Sequence, residues 1–432
     1  MKSVAGEFII DRLRTDTKNS QFRRLTYLLL LLILCIAIVG IALPAGLGWD
    51  FANFYDTGRR AASWQISDLY KPESLIDGEM PQGKLSFWGA PISALFYMPL
   101  GLFSAELALV LFKIQNTLAC FAALYLTYLQ NRRYLGSKIT TDWRFAALFA
   151  GIVLIFQPIW SIYRIGGQTT PTVFLLFSIA LHYYMREKFR LSSICIALAL
   201  LIKPGFVFVL LPLGLVSGWK FLREILLIFT VIGLFSFFLL GWNVHYEFLK
   251  VMMLGSVKAF SWQYNSSLYV MVENLRFLPV DQVNPEIIGA LLLLVKLSVV
   301  VLFGLLFWTS RTEHWTTASR SRFNFLMSIT FCLMISQTVW EHYLIILFPL
   351  LAYIVANHTS FSLGARILVA IAIVMSFGQN IVFVNFLEAQ VSFDTIPELV
   401  LIGLLKSCPL WLIFTFLLKY RVEFFRSFVH PK

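Results

Sequence analysis

Three carboxylates (Asp50, Asp56, Asp68) and two arginines (Arg59, Arg60) fall within nineteen residues of a chain in which only 13% of residues are charged. Aromatic residues are interleaved with them: Trp49, Phe51, Phe54, Tyr55, Trp64 and Tyr70. The mixture suits a sugar, since a carboxylate can take a hydroxyl proton while rings cover the apolar faces of the ring. It equally describes a wet loop carrying the aromatics that collect at any membrane boundary. Composition alone leaves both readings open and leans to the second.

Three further polar features stand out against apolar surroundings. Lys203-Pro204-Gly205 interrupts an apolar run. A charge at membrane depth is costly and functional by default, and a lysine suits a phosphate as a mobile point charge. Its other reading is a lysine snorkelling to one surface. Trp340-Glu341-His342-Tyr343 joins two apolar spans with almost no loop. His342 could donate to a phosphate or a sugar hydroxyl with Glu341 orienting it, or the turn could simply cap two helices. Gly166-Gly167-Gln168, followed by Thr169 and Thr170, opens a span, where unsatisfied N–H groups favour anions. Asn265-Ser266-Ser267 has the form of a glycosylation sequon, which carries no meaning in a bacterium. The five cysteines lie singly in apolar runs without metal-ligand spacing and read as structural thiols. No Gly-rich phosphate cradle, βαβ unit or basic aromatic module appears, so no metal, no cofactor and no nucleic acid is expected.

The elements that must position these residues are membrane helices. The chain has 432 residues, of which 59% are hydrophobic, and its mean hydropathy is +0.77. Continuous apolar runs predict an all-α polytopic membrane protein, because lipid cannot satisfy open backbone groups. Residues 1–24 carry Lys2, Arg12, Arg14, Lys18, Arg23 and Arg24, which predicts a cytoplasmic segment that is not a cleavable signal. Within it, Gly6–Leu13 has the pattern of a short interfacial helix. A single domain over 25–418 follows, with external loops at about 44–104 and 242–284, then a cytoplasmic tail over 419–432.

Spans are expected at Leu25–Leu43, Ala105–Leu129, Phe145–Tyr163, Thr169–Met185, Leu222–Gly241, Pro285–Trp308, Phe323–Val339, Tyr343–Ala356, Ile367–Phe386 and Ile396–Leu418. Leu191–Val216 is basic at both ends and broken at Lys203-Pro204, which predicts a hairpin of two short helices with Lys203 near its tip. That makes about twelve crossings with both termini cytoplasmic. Pro91–Phe103 is too short to cross and reads as an interfacial or re-entrant helix, while Glu73, Asp77 and Glu79 read as solvated loop. The expected location is a bacterial plasma membrane.

The order of these motifs resembles glycosyltransferase family 87. An Asp-Phe (Asp50-Phe51) follows the first span, then come Tyr55, Gly58, Ala61-Ala62 and Leu69-Tyr70. Further along lie the aromatic-x-Pro step Tyr97-Met98-Pro99, a Gly-Gln at Gly167-Gln168, Asn265-Ser266-Ser267-Leu268, and a His-Tyr before Pro349. Where the family usually has an Asn after Gly-Gln, this chain has Thr169 and Thr170. The resemblance implies a GT-C-type fold and an inverting transfer from a polyprenyl-phosphate sugar, mannose first, to a lipid-linked or glycan acceptor at the outer face of the lipid bilayer. It puts Asp50 at the place of the catalytic base. Lys203, His342 and Arg59 are the candidates for the donor phosphate. Tyr55, Asp56, Gln168, Asn265 and Glu341 are the candidates for sugar or acceptor. A transporter or flippase of a lipid-linked sugar is the rival reading, since broken helices near mid-membrane also suit one.

Overall fold

A computed structural model describes residues 2–43, 49–70, 87–134, 143–164, 167–257, 265–277, 283–312, 315–378 and 396–429. Gly48, Glu73, Asp77, Glu79, Gly166, Trp262, Tyr264 and the expected turn at 387–395 lie outside the described residues, as does the side chain of Trp49.

The protein is an all-α polytopic membrane protein. Among the described residues, five helical stretches are long and apolar enough to cross a bilayer: Ser20–Ala42, Ala105–Arg132, Pro204–Leu240, Pro285–Arg311 and Ile396–Lys419. Shorter apolar helices stand between them, among them Trp143–Ile155, Phe189–Ile202 and Leu363–Ser376. In chain order the helices of at least thirteen residues are α1 (Lys2–Ala42), α2 (Trp49–Ala62), α3 (Ala105–Tyr134), α4 (Trp143–Ile155), α5 (Thr170–Tyr184), α6 (Phe189–Ile202), α7 (Leu210–Leu240), α8 (Trp242–Val257), α9 (Pro285–Thr312), α10 (Thr317–Ile335), α11 (Leu363–Gly378) and α12 (Ile396–Lys419).

Several elements differ from the sequence reading. The expected interfacial helix at Gly6–Leu13 is part of one continuous helix, α1, because no residue there breaks the ladder. The stretch read as the start of a loop is the helix α2. Its charges suit that state: Asp50 lies in the first turn and Arg59 and Arg60 in the last, opposite to the partial charges of the helix ends. Phe51, Tyr55 and Gly58, at helical spacing, face the protein. The loop expected over 242–284 opens as α8, sixteen residues long.

The span expected at 145–163 stops at Ile155. Pro158 sits in a short 3-10 turn, Gln157–Ile159, before a second short helix, Ser161–Arg164. The span expected from Phe323 ends at Ile335 rather than Val339, and the next segment begins as a 3-10 helix, Glu341–Leu347, before turning α-helical over Phe348–Ala356. The tail contains a helix, Arg421–Val429, whose Phe424, Phe425 and Phe428 are buried against Trp315 and Phe323.

The broken hairpin is present. The α6 helix ends at Ile202, Lys203 is extended (φ −134°, ψ 85°) as the residue before a proline tends to be, and Pro204–Val209 is 3-10 before α7 begins. A second break follows in α7 at Gly218, whose φ of 72° is open to glycine at no steric cost.

Among the described residues three apolar clusters form, and two of them, one large and one smaller, frame the site. The large one gathers α4, α5, α6, α10 and the 341–356 segment around residues such as Phe149, Phe174, Phe348 and Tyr353. The smaller one joins α2 to the 87–100 segment and α3 through Phe51, Tyr55, Leu69, Tyr70, Phe87, Tyr97 and Phe112. Its tightest point is a glycine pair. A Cβ on Gly58 would lie 2.3 Å from the Tyr97 carbonyl oxygen, and one on Gly101 would lie 2.4 Å from the Arg59 nitrogen. Only two glycines let α2 lie this close to the chain below it.

Candidate active site

Four side chains from four separate segments meet at the edge between the two cores. Asp50 comes from the first turn of α2, Gln168 from the residues just before α5, Lys203 from the break after α6, and His342 from the start of the 3-10 helix at 341. The Gln168 side-chain amide donates to Asp50 Oδ2. The Lys203 ammonium donates to Gln168 Oε1 at 3.4 Å and lies 3.2 Å from His342 Nε2. It also stands 4.2 Å from the centre of the Tyr343 ring, a cation–π contact. Carboxylate, carboxamide, ammonium and imidazole thus form one continuous polar chain.

Local structure holds each member. Gly167 precedes Gln168 with φ 97°, and a Cβ there would come within 2.8 Å of the Phe112 ring, so both conformation and space call for glycine. The turn carrying His342 is latched by Asn265, whose Oδ1 accepts from the Ser267 and Val339 backbone N–H groups, both at 3.0 Å. Its Nδ2 donates to the Gln337 carbonyl at 3.2 Å, and Asn265 and Trp340 form an antiparallel bridge. The end of α6 is tied to the loop before Pro91 by Ala90 N–H donating to the Leu201 carbonyl at 3.1 Å.

Burial shapes the carboxylate. Desolvation pushes the Asp50 carboxyl above the usual carboxylate range, while the nearby Lys203 charge and the Gln168 hydrogen bond pull it back. A carboxyl raised in this way is a better proton acceptor than a solvated one, provided the pH keeps it ionised.

Other expected site residues have different neighbours. Asp56 accepts from Arg60 Nε at 2.9 Å, and Arg60 also donates to the Asp68 carbonyl. Arg60, 3% exposed, organises the end of α2, while the neighbouring Arg59 is exposed and lies 6.0 Å from the Tyr55 ring centre. The Tyr55 hydroxyl donates to the Phe103 carbonyl at 2.9 Å, which ties α2 to the segment beneath it. Asn265 is fully buried and its carboxamide is engaged by backbone, so it shapes the site from behind instead of presenting itself to a hydroxyl. Glu341 is buried next to His342. The Tyr343 ring against Lys203 had no counterpart in the sequence reading beyond its membership of the Glu341-His342-Tyr343 run.

The family model for glycosyltransferase family 87 matches residues 87–336. The chain belongs to glycosyltransferase family 87. No match was found among curated proteins or among solved structures. As a family 87 glycosyltransferase the protein moves a sugar from a donor to an acceptor at a membrane. Gln168 and Lys203 lie inside the matched residues, whereas Asp50 and His342 lie on either side of them. The hydrogen bonds to Gln168 and Lys203 are what bring those two flanking residues into the same site.

Proposed function

We propose that this glycosyltransferase carries a hexose, with mannose the first to test, from a polyprenyl-phosphate sugar to a lipid-linked or glycan acceptor at the outer face of the membrane, within a GT-C-type fold. Asp50 takes the proton of the acceptor hydroxyl as its oxygen attacks the anomeric carbon. The new C–O bond forms on one face of the sugar while the bond to the phosphate oxygen breaks on the other. The electron pair leaves with the polyprenyl phosphate, and inversion turns a β-linked donor into an α-glycoside. Lys203, held by Gln168 and His342, stabilises the charge growing on that phosphate, and the exposed Arg59 is available to the same group. Phosphate is a good leaving group, so a separate general acid is not required.

The observation that carries this reading is the bridge Asp50–Gln168–Lys203. A buried carboxylate and an ammonium on the two ends of one carboxamide support the reading of one as base and the other as phosphate-binding cation. The test is transfer of radiolabelled mannose from polyprenyl-phosphate-mannose to membrane lipid and glycan acceptors, with wild-type protein beside Asp50→Asn. Transfer that disappears in the variant, with folding and donor binding intact, supports the base. Equal transfer by both removes Asp50 from that role, and no transfer by wild type with several polyprenyl-phosphate sugars offered removes the donor.

A further inference from the structure

Lys113 is a charge inside the apolar span expected at Ala105–Leu129, yet it is 3% exposed and its ammonium has a defined task. It donates to the carbonyl of Gly40 in the last turn of α1 at 3.3 Å and to that of Leu43, just past its end, at 3.0 Å. Those carbonyls have no partner within their own helix, and a cation at a helix C-terminus also answers the negative end of the dipole. Asp50 stands seven residues beyond Leu43.

The neighbouring residue reaches the site from the same helix. Phe112 is fully buried, with ring centroids 5.7 Å from both Phe51 and Phe54. The same ring lies close against the Gly167 backbone, where a Cβ would come within 2.8 Å of it. Phe51 directly follows Asp50 and Gly167 directly precedes Gln168, and Asp50 and Gln168 are hydrogen-bonded to each other. One turn further along α3, Asn116 Oδ1 accepts from Thr172 Oγ1 at 3.1 Å, and the Thr117 and Tyr163 hydroxyls are 2.7 Å apart. The face of α3 carrying 112, 113, 116 and 117 therefore touches the end of α1, the start of α2 and the chain on both sides of Gln168.

We propose that Phe112 and Lys113 are positioning residues that hold Asp50 and Gln168 in register from behind. The inference rests on the reading of Asp50 as the base. It assigns Lys113, a buried charge of α3, to catalysis through geometry, with no contact to either substrate.

The test compares Lys113→Met with Arg322→Met. Arg322 is also a buried cation tied to α3, through Asn131, but it sits about 27 Å further along that helix by the rise per residue. Lys113→Met is expected to lower kcat by about 10- to 100-fold, because small misplacements of reacting groups are that costly, while donor and acceptor KM stay within about twofold. Arg322→Met is expected to lose thermal stability without that loss of kcat per folded molecule. A second readout needs no turnover: cross-linking of Asp50→Cys to Gln168→Cys by a short bis-methanethiosulfonate, with the native cysteines replaced. Adding Lys113→Met should lower the cross-linking yield, and adding Arg322→Met should leave it unchanged. Wild-type kcat in Lys113→Met, an equal kcat loss in Arg322→Met, or an unchanged yield overturns the proposal. If Lys113→Met does not fold, Phe112→Leu removes the ring without removing a charge and is held to the same outcomes. A wild-type protein that transfers nothing would remove the proposed donor alone, since the cross-link would still decide the positioning.

Discussion

At the scale of single residues, the site is a balance between burial and compensation. Asp50 is held where desolvation favours its protonated form, and Gln168 and Lys203 partly restore the carboxylate. A base must be ionised to act, so activity is lost as pH falls through the raised value. The acid limb of kcat/KM should therefore break above the ordinary carboxylate value of 3.8. An acid limb at or below that value would show that a solvated carboxylate is the base. Replacing Asp50 with Asn should reduce transfer by about 10²- to 10⁴-fold, the usual worth of a positioned base. Lys203→Met should act differently: it removes the cation proposed to face the donor phosphate, so the donor KM should rise along with a fall in kcat, whereas the acceptor KM should hold. A titration of initial rate against each substrate in turn separates these effects.

Among the elements, α2 is the one whose placement matters most, and two glycines decide it. Gly58→Ala puts a methyl group 2.3 Å from the Tyr97 carbonyl oxygen, and backbone on both sides leaves little room to yield. Gly101→Ala repeats the conflict from the other side. Each should destabilise by about 1–3 kcal/mol, as overpacking does, and each should impair transfer by lifting the helix that bears Asp50. Thermal unfolding in detergent, read beside transfer, checks both. Gly205→Ala is the matched control, because a Cβ there meets nothing within 4 Å although it stands beside Lys203. It should leave stability near wild type.

For the whole molecule, the segments that bring Asp50, Gln168, Lys203 and His342 together all reach one end of the bundle, while the buried Arg322 and the 421–429 helix lie with the far end of α3. The topology proposed from the distribution of lysine and arginine puts the first end outside. A cysteine replacing the exposed Arg59 should then react with a membrane-impermeant maleimide in intact cells, and one replacing the exposed Lys188 should react only after permeabilisation. The reverse labelling pattern would invert the topology and place the chemistry on the cytoplasmic side.

How much was legible beforehand differs between these scales. Hydropathy alone determined the membrane class and the five long apolar spans, because in lipid a backbone must satisfy itself and long apolar runs have few alternatives. The break at Lys203-Pro204 was equally plain, since proline forces the preceding residue out of the helix whatever surrounds it. The α2 helix was hidden because its polar and aromatic residues suit a loop as well as a helix. Its apolar stripe acquires meaning only once Phe112 and Tyr97 are there to receive it. The sequence marked Asp50, Gln168, Lys203 and His342 as residue types able to do chemistry, but they stand up to 139 positions from their neighbours in the site. Only the tertiary structure decided that Gln168 bridges Asp50 and Lys203, that Asn265 is bonded to backbone, and that Arg60 rather than Arg59 is buried. Those outcomes depend on which donor meets which acceptor across helices, and no local pattern of residues carries that information.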